Sequence, residues 1–350
     1  MEGKKLFRFP KFRWGQLFLH LTLAVLLICM VYPLLMSVWC AFKTTVDYDG
    51  VFIPNWAMWY GLELAAYADR AGEDEIVRRS RESVLGIIAY FRRFENEFSL
   101  LEDLEGWVFV EWSAANDADR VCGVNVPSNF CYAALLERVG RLYGIAEWVQ
   151  KAAAVRNVLR ELACDGVFFA DNLVRDERGS LKRTDRRSEV CQYYAFWFDG
   201  ISREDYPELF SMLVRRLGPR RKNGEFPALA PPNMMYGIYM RLDLLMRAGM
   251  REQLFEECLY YFLKMAERTG TLWENNDVRA SCNHGFAAYA AKWLIYVLTG
   301  YDAAGGELPP PQESGIGVDC DLYLPRKGGY LHLRVDRNRV FVSKEEEECL

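Results

Sequence analysis

The sequence predicts an all-α body of antiparallel helix hairpins, an (α/α)6 six-hairpin toroid incomplete at its N-terminal side, preceded by one transmembrane helix and followed by a short segment of alternating strands. Three observations predict it. Apolar residues recur at intervals of three and four along nine segments between Asp49 and Gly300. Prolines sit at the starts of these segments and glycines just past their ends, which is the punctuation of successive helices. Aromatic-rich loops gather at one end of the hairpins, as at the mouth of a barrel. A complete toroid of this kind has twelve helices, so the missing ones would precede Asp49.

The first element is the apolar run from Leu17 to Phe42, broken only by His20 and small polar residues such as Thr22 and Ser37. It is long enough to span a bilayer. Lys4, Lys5, Arg8, Lys11 and Arg13 precede it and Lys43 alone follows, so the positive-inside rule places the amino terminus in the cytoplasm. No small-residue cleavage site follows, which favours an uncleaved single-pass anchor. The stretch containing Tyr32-Pro33-Leu34-Leu35 and Ala41-Phe42-Lys43-Thr44 is similar to the first membrane helix of a sugar importer's permease subunit. No other run reaches membrane length, which argues against transport. Residues 1–46 thus form a segment of their own, and an accidental junction of neighbouring genes explains it better than a purposeful fusion. Without a genuine fusion the location expected is cytoplasmic.

The helical body, residues 47–303, is predicted as Trp56 to Ala71, Asp74 to Phe94, Pro127 to Tyr143, Ile145 to Cys164, Ser188 to Phe198, Tyr206 to Leu217, Asn233 to Ala248, Arg251 to Ala266 and Asn283 to Leu298. Val84, Ile87, Ile88 and Phe91 form one packing stripe, and Leu254, Cys258, Tyr261 and Phe262 another. Pro127, Pro207 and Pro232 mark helix starts; Gly72, Gly144, Gly218, Gly249 and Gly300 mark ends. Between the fourth and fifth helices, Gly166 to Asn172 and Leu181 to Thr184 flank Asp176-Glu-Arg-Gly as a β-hairpin. Beyond a Gly and Pro-rich joint, residues 304–350 hold alternating strands, Tyr330 to Val335 and Arg339 to Val342, around an Asp336-Arg-Asn turn.

Composition narrows the function. At 350 residues, 51% hydrophobic and 14% aromatic, the chain suits a folded enzyme. A net charge of -5 with interspersed signs leaves no basic stripe for nucleic acid. Cysteines fall singly in apolar stretches (Cys131, Cys164, Cys191, Cys258), as buried hydrophobes of a reducing compartment rather than zinc ligands or disulfides. No cofactor motif or metal-ligand spacing is present, although a calcium ion held by scattered carboxylates would leave no trace.

Carbohydrate chemistry needs a carboxylate to activate water, a flat aromatic face for the sugar's C–H surface, and donors for its hydroxyls. The densest cluster is Thr271-Leu-Trp-Glu-Asn-Asn-Asp with Ser281-Cys-Asn-His-Gly-Phe, where Glu274, Trp273, Asn283 and His284 could supply each. Alternatively, Asn283 caps the last helix, His284 sits satisfied in the core and Glu274 is simply solvated. Gly106-Trp-Val-Phe-Val-Glu-Trp-Ser, an apolar strand-like run, delivers Glu111 and Trp112. Glu111 is either a tuned acid or a partnered structural charge, and Trp112 a platform or a core plug. Glu189 and Gln192, three apart near a helix start, face a pocket or serve capping chemistry. Trp56 could floor the pocket or, with Trp59, belong to the core.

Taken in order, Phe-Ile-Pro-Asn-Trp at 52 to 56, Val-Glu-Trp-Ser at 110 to 113, Glu-Val-Cys-Gln at 189 to 192, Thr-Leu-Trp-Glu at 271 to 274 and Cys-Asn-His-Gly at 282 to 285 resemble glycoside hydrolase family 78, the α-L-rhamnosidases. The resemblance implies inverting hydrolysis of terminal α-L-rhamnosides in an oligosaccharide or glycoside, with Glu274 as general base and His284 and Trp112 touching the sugar. It also implies a β-sandwich after the barrel, of which residues 304–350, with too few strands to close one, would be a truncated β-sandwich segment, and a general-acid segment ahead of the matched part, which nothing before Asp49 resembles, so hydrolysis is expected to be impaired. An inactive carbohydrate-binding remnant, another six-hairpin glycosidase such as an unsaturated uronyl hydrolase, and a sugar-transport component are the alternatives.

Overall fold

The computed structural model describes residues 53–234, 236–276, 281–302, 316, 318–326 and 329–346, and the chain divides at Phe52/Ile53. The apolar run 17–42 and its permease-like wording lie outside the described residues. Among the described residues no helix is long and apolar enough to cross a membrane.

All nine predicted helices are present. They are α1 (Ala57–Ala71), α2 (Glu75–Arg92), α3 (Val126–Leu142), α4 (Ala146–Ala163), α5 (Glu189–Trp197), α6 (Pro207–Arg216), α7 (Tyr236–Arg247), α8 (Arg251–Cys258) and α9 (Ala290–Thr299). Their starts are set by short polar side chains that accept otherwise unpaired amides. Asp74 accepts from Val77 N at 3.1 Å, Asn125 from Ser128 N at 3.0 Å and Ser188 from Cys191 N at 3.1 Å. At the far end, α9 stops where Gly300 turns left-handed at φ 73°.

α1 packs on α3, α3 on α5, α5 on α7, and α7 on α9, so alternate helices form an inner layer. α2 backs α1, α4 backs α3 and α8 backs α7. One apolar core surrounds Phe130, Tyr132, Ile88 and Phe169, and a second surrounds Trp293, Leu242, Leu245 and Met265.

Two helices depart from the prediction. α8 runs on through a π-helical stretch, Leu259–Leu263, into Lys264–Thr269, so that the neighbours Tyr261 and Phe262 are both buried. The last helix, predicted from Asn283, begins as a 3-10 turn at Gly285–Tyr289 and becomes α-helical only at Ala290. The reason is local. His284 N is bonded to Leu272 O (3.1 Å) and Glu274 N to Ser281 O (2.9 Å), which holds residues 281–284 extended against 272–274.

The predicted hairpin forms as β2 (Asn172–Arg175) against β3 (Leu181–Arg183), with β1 (Val124–Asn125) added on β2. Two short strands, β4 (Arg187–Ser188) and β5 (Leu229–Ala230), pair in parallel. At the C-terminal side β6 (Cys320–Arg326), β7 (Gly329–Asp336) and β8 (Arg339–Glu346) form an antiparallel sheet. Leu331 and Leu333 of β7 pack with Tyr301 next to the end of α9.

Candidate active site

The inner helices all begin at one end of the bundle, and the loops that lead into them meet there. The loop before α1 contributes Asn55 and Trp56. Asn55 pairs with the main chain of Phe109 in both directions, Nδ2 to Phe109 O at 2.7 Å and Phe109 N to Oδ1 at 3.2 Å. Val110 N is bonded to Asn116 Oδ1 at 2.8 Å, and Tyr194 Oη donates to Val110 O at 3.0 Å. The run predicted as strand-like is therefore not part of a sheet. Side chains satisfy its backbone groups, which fixes Trp112 at its end.

Trp112 Nε1 donates to Glu274 Oε1 at 3.0 Å, joining residues 162 apart in sequence. His284 Nε2 lies 3.8 Å from the same oxygen. Glu274 and His284 are roughly one-fifth exposed, so the pair is not sealed from solvent. Around it stand aromatic rings: Trp107 and Phe109 pack on Trp112 with centroids 5.8 and 4.8 Å away. Phe286 stacks on His284 at 5.0 Å and meets Trp56 at 6.1 Å. Trp56 Nε1 and His284 Nδ1 are buried without a recorded partner.

Glu111, the neighbour of Trp112, is completely buried. Both its oxygens accept the amide of Asn233, at 2.8 and 3.1 Å, just ahead of α7. Burial pushes its carboxyl up to about 8, against the lowering effect of bonds from Ser113, Asn233 and Met234, and the charge of Glu189 adds to the rise. Among the described residues no cation pairs with it.

The remaining predicted site residues lie elsewhere. Glu189 is fully buried and bonded to Arg221 Nη1 (2.8 Å), Tyr193 Oη (2.9 Å) and Gly218 N (3.1 Å), a paired structural charge. Gln192 clamps Phe169, accepting from its amide at 2.9 Å and donating to its carbonyl at 2.8 Å. Trp273 is a core residue whose indole donates to Thr269 Oγ1 at 2.7 Å. Asn283 is exposed and makes no recorded capping bond. Glu274, Trp112, His284 and Trp56 are thus brought together, with Glu111 just beneath them. Phe286, Trp107 and Phe109 join them without having been singled out by any motif; their aromatic character beside motif residues is the signal that marks them in sequence.

Two surface clefts, of about 340 and 500 Å³, lie at the opposite ends of the inner helices, lined by residues such as Asp199 and Arg247 or Gly72 and Arg141. Neither includes any of the residues above.

No family model matches the chain, and no curated protein matches it in sequence. In structure it is similar to a glycoside hydrolase family 78 rhamnosidase of Bacillus sp. GL1, with a TM-score of 0.62 at 16% identity over 81% of this chain and 31% of that one. It is also similar to a rhamnosidase from Klebsiella oxytoca with rhamnose bound, with a TM-score of 0.54 at 14% identity over 71% of this chain and 47% of that one. The chain spans between about a third and a half of the length of these neighbours. At such identities the likeness is one of fold: the helical body has the fold found in these rhamnosidases.

Proposed function

We propose that the helical body is a glycoside hydrolase of terminal α-L-rhamnosides, working by inversion with Glu274 as general base. In this reading the Glu274 carboxylate takes a proton from the water that attacks the anomeric carbon. The leaving oxygen needs a proton from a second carboxylic acid on the far side of the ring; no group among the described residues is assigned that role, so the turnover expected is impaired. Trp112, backed by Trp107 and Phe109, offers an apolar face to the sugar, and His284 is a partner for its hydroxyls. The observation that carries this reading is that Trp112, 162 residues away in sequence, meets Glu274 at 3.0 Å, with the neighbouring His284 3.8 Å from the same carboxylate, in a partly open position.

The substrate in this reading is a rhamnose-containing oligosaccharide or glycoside, and the helical body, residues 47–303, is the unit that binds it. A second reading, sugar binding without turnover, is favoured by one feature. Among the described residues no second carboxyl is recorded in contact with Glu274, and Glu111 is buried and held by a main-chain amide.

The test is hydrolysis of p-nitrophenyl α-L-rhamnoside by the whole chain and by Glu274→Gln, with rhamnose binding followed by calorimetry. Turnover that falls at least about a hundredfold in Glu274→Gln, releasing the inverted sugar first, is the expected outcome. Rhamnose binding with no turnover favours the second reading, and neither binding nor turnover sinks both.

A further inference from the structure

A buried carboxyl without a cation is expensive to keep, because burial removes its hydration and only hydrogen bonds replace it. Glu111 is such a group, and its contacts close a ring. Its oxygens hold the Asn233 amide at 2.8 and 3.1 Å. Asn233 O in turn accepts from Asn276 N at 3.4 Å. Asn276 lies two residues after Glu274, whose Oε1 accepts the Trp112 indole at 3.0 Å. Trp112 is peptide-bonded to Glu111, which completes the circuit.

We propose that Glu111 is a positioning residue of the sugar site: by clamping the main chain ahead of α7 it holds the Trp112 indole and the Glu274 loop in register with each other. The inference deepens the reading of Trp112 and Glu274 as a sugar site, but its mechanics are those of the protein alone. Two features fit a clamp rather than a reacting group. Glu111 has no exposed surface, so it does not reach substrate, and its oxygens are committed to the backbone amide of Asn233, three residues before α7. The main chain on its other side is equally fixed, by Asn55, Asn116 and Tyr194. A displacement of the carboxyl therefore passes to Trp112, the next residue along.

The experiment is solvent exchange of the Trp112 indole N–H in the 15N-labelled full chain, with no sugar present. Trp112→Phe assigns the resonance and Glu274→Ala supplies the rate of the unbonded indole. Glu111→Asp draws the carboxyl back by one methylene, and at least tenfold faster exchange is expected. Glu111→Gln keeps an acceptor oxygen at full reach, and exchange within about threefold of wild type is expected. Ser113→Ala, which removes a hydroxyl that lowers the Glu111 carboxyl and also caps the Ala115 amide at 3.3 Å, is the milder probe should Glu111→Asp fail to fold by circular dichroism; three- to tenfold faster exchange is expected. Unchanged exchange in folded Glu111→Asp, or in Ser113→Ala where that variant stands in, overturns the proposal. Equal acceleration in the Gln and Asp variants overturns it too, since the acceptor oxygen would not be what matters. A protected indole in a chain that turns over no rhamnoside counts against the hydrolase reading and leaves the clamp standing.

Discussion

Replacing Glu111 by Gln removes the most strongly raised carboxyl around the site, and its consequence for stability follows from linkage. The carboxyl is pushed from an ordinary 4.5 up to about 8, with burial the largest cause. Between these values the folded chain holds a proton that the unfolded chain has released. The stabilising contribution is therefore present in full below the unfolded value near 4.5, and is lost as pH rises through about 8. At ~1.4 kcal/mol per pH unit, the loss between pH 5 and pH 8 is on the order of 4 kcal/mol. At roughly 2 °C per kcal/mol for a domain of this size, that is about 8 °C of melting temperature. Glu111→Gln does not titrate and keeps an acceptor for the Asn233 amide, so its melting temperature should gain on wild type by about that amount across the interval. Groups common to both proteins, among them Glu189 and the other acids, cancel in the difference. The assay is thermal unfolding followed by circular dichroism at pH 5, 6, 7, 8 and 9. Melting curves of the two proteins that run parallel through the whole range would refute the assignment of a neutral, desolvated carboxyl at this position.

Further outcomes can be checked with the same protein. Arg221→Ala strands the buried Glu189 carboxylate with only Tyr193 Oη and Gly218 N as partners, and a loss of about 3–5 kcal/mol in urea unfolding is expected. Trp273→Phe removes the indole bond to Thr269 at 2.7 Å from a core position; it should cost about 1–2 kcal/mol of stability and leave rhamnose affinity within about twofold. Trp112→Phe should do the reverse, lowering rhamnose affinity by about tenfold with little change in melting temperature, because Trp112 lies at the edge of the site rather than in the core.

Much of the helical body was legible in sequence because its signals are local. Periodicity along Val84, Ile88 and Phe91, the caps at Asp74 and Ser188, and the stop at Gly300 each depend on residues within a few positions of one another. The pairing of Glu274 with His284 was within reach for the same reason, since the two lie only ten positions apart in sequence. The start of the last helix was not, because it is displaced by the bonds of His284 and Glu274 to their own loop.

What the sequence determined by itself was nine of the helices, their order, and which segments carry carboxylates beside aromatics, though not the short helix Ala118–Val121. What the tertiary structure alone decided was which of those carboxylates meet. Glu189, Gln192 and Glu111 each read either as a group for a ligand or as a structural one, and the structure takes the second: each is fully buried and committed to a partner within the protein, Arg221, the main chain of Phe169, and the amide of Asn233. Glu274 alone among the named carboxylates met Trp112 in a partly open position. The physical reason is that a buried polar group must find a hydrogen-bond partner, and the partner is chosen by proximity in space across tens to hundreds of residues, which no local spacing records.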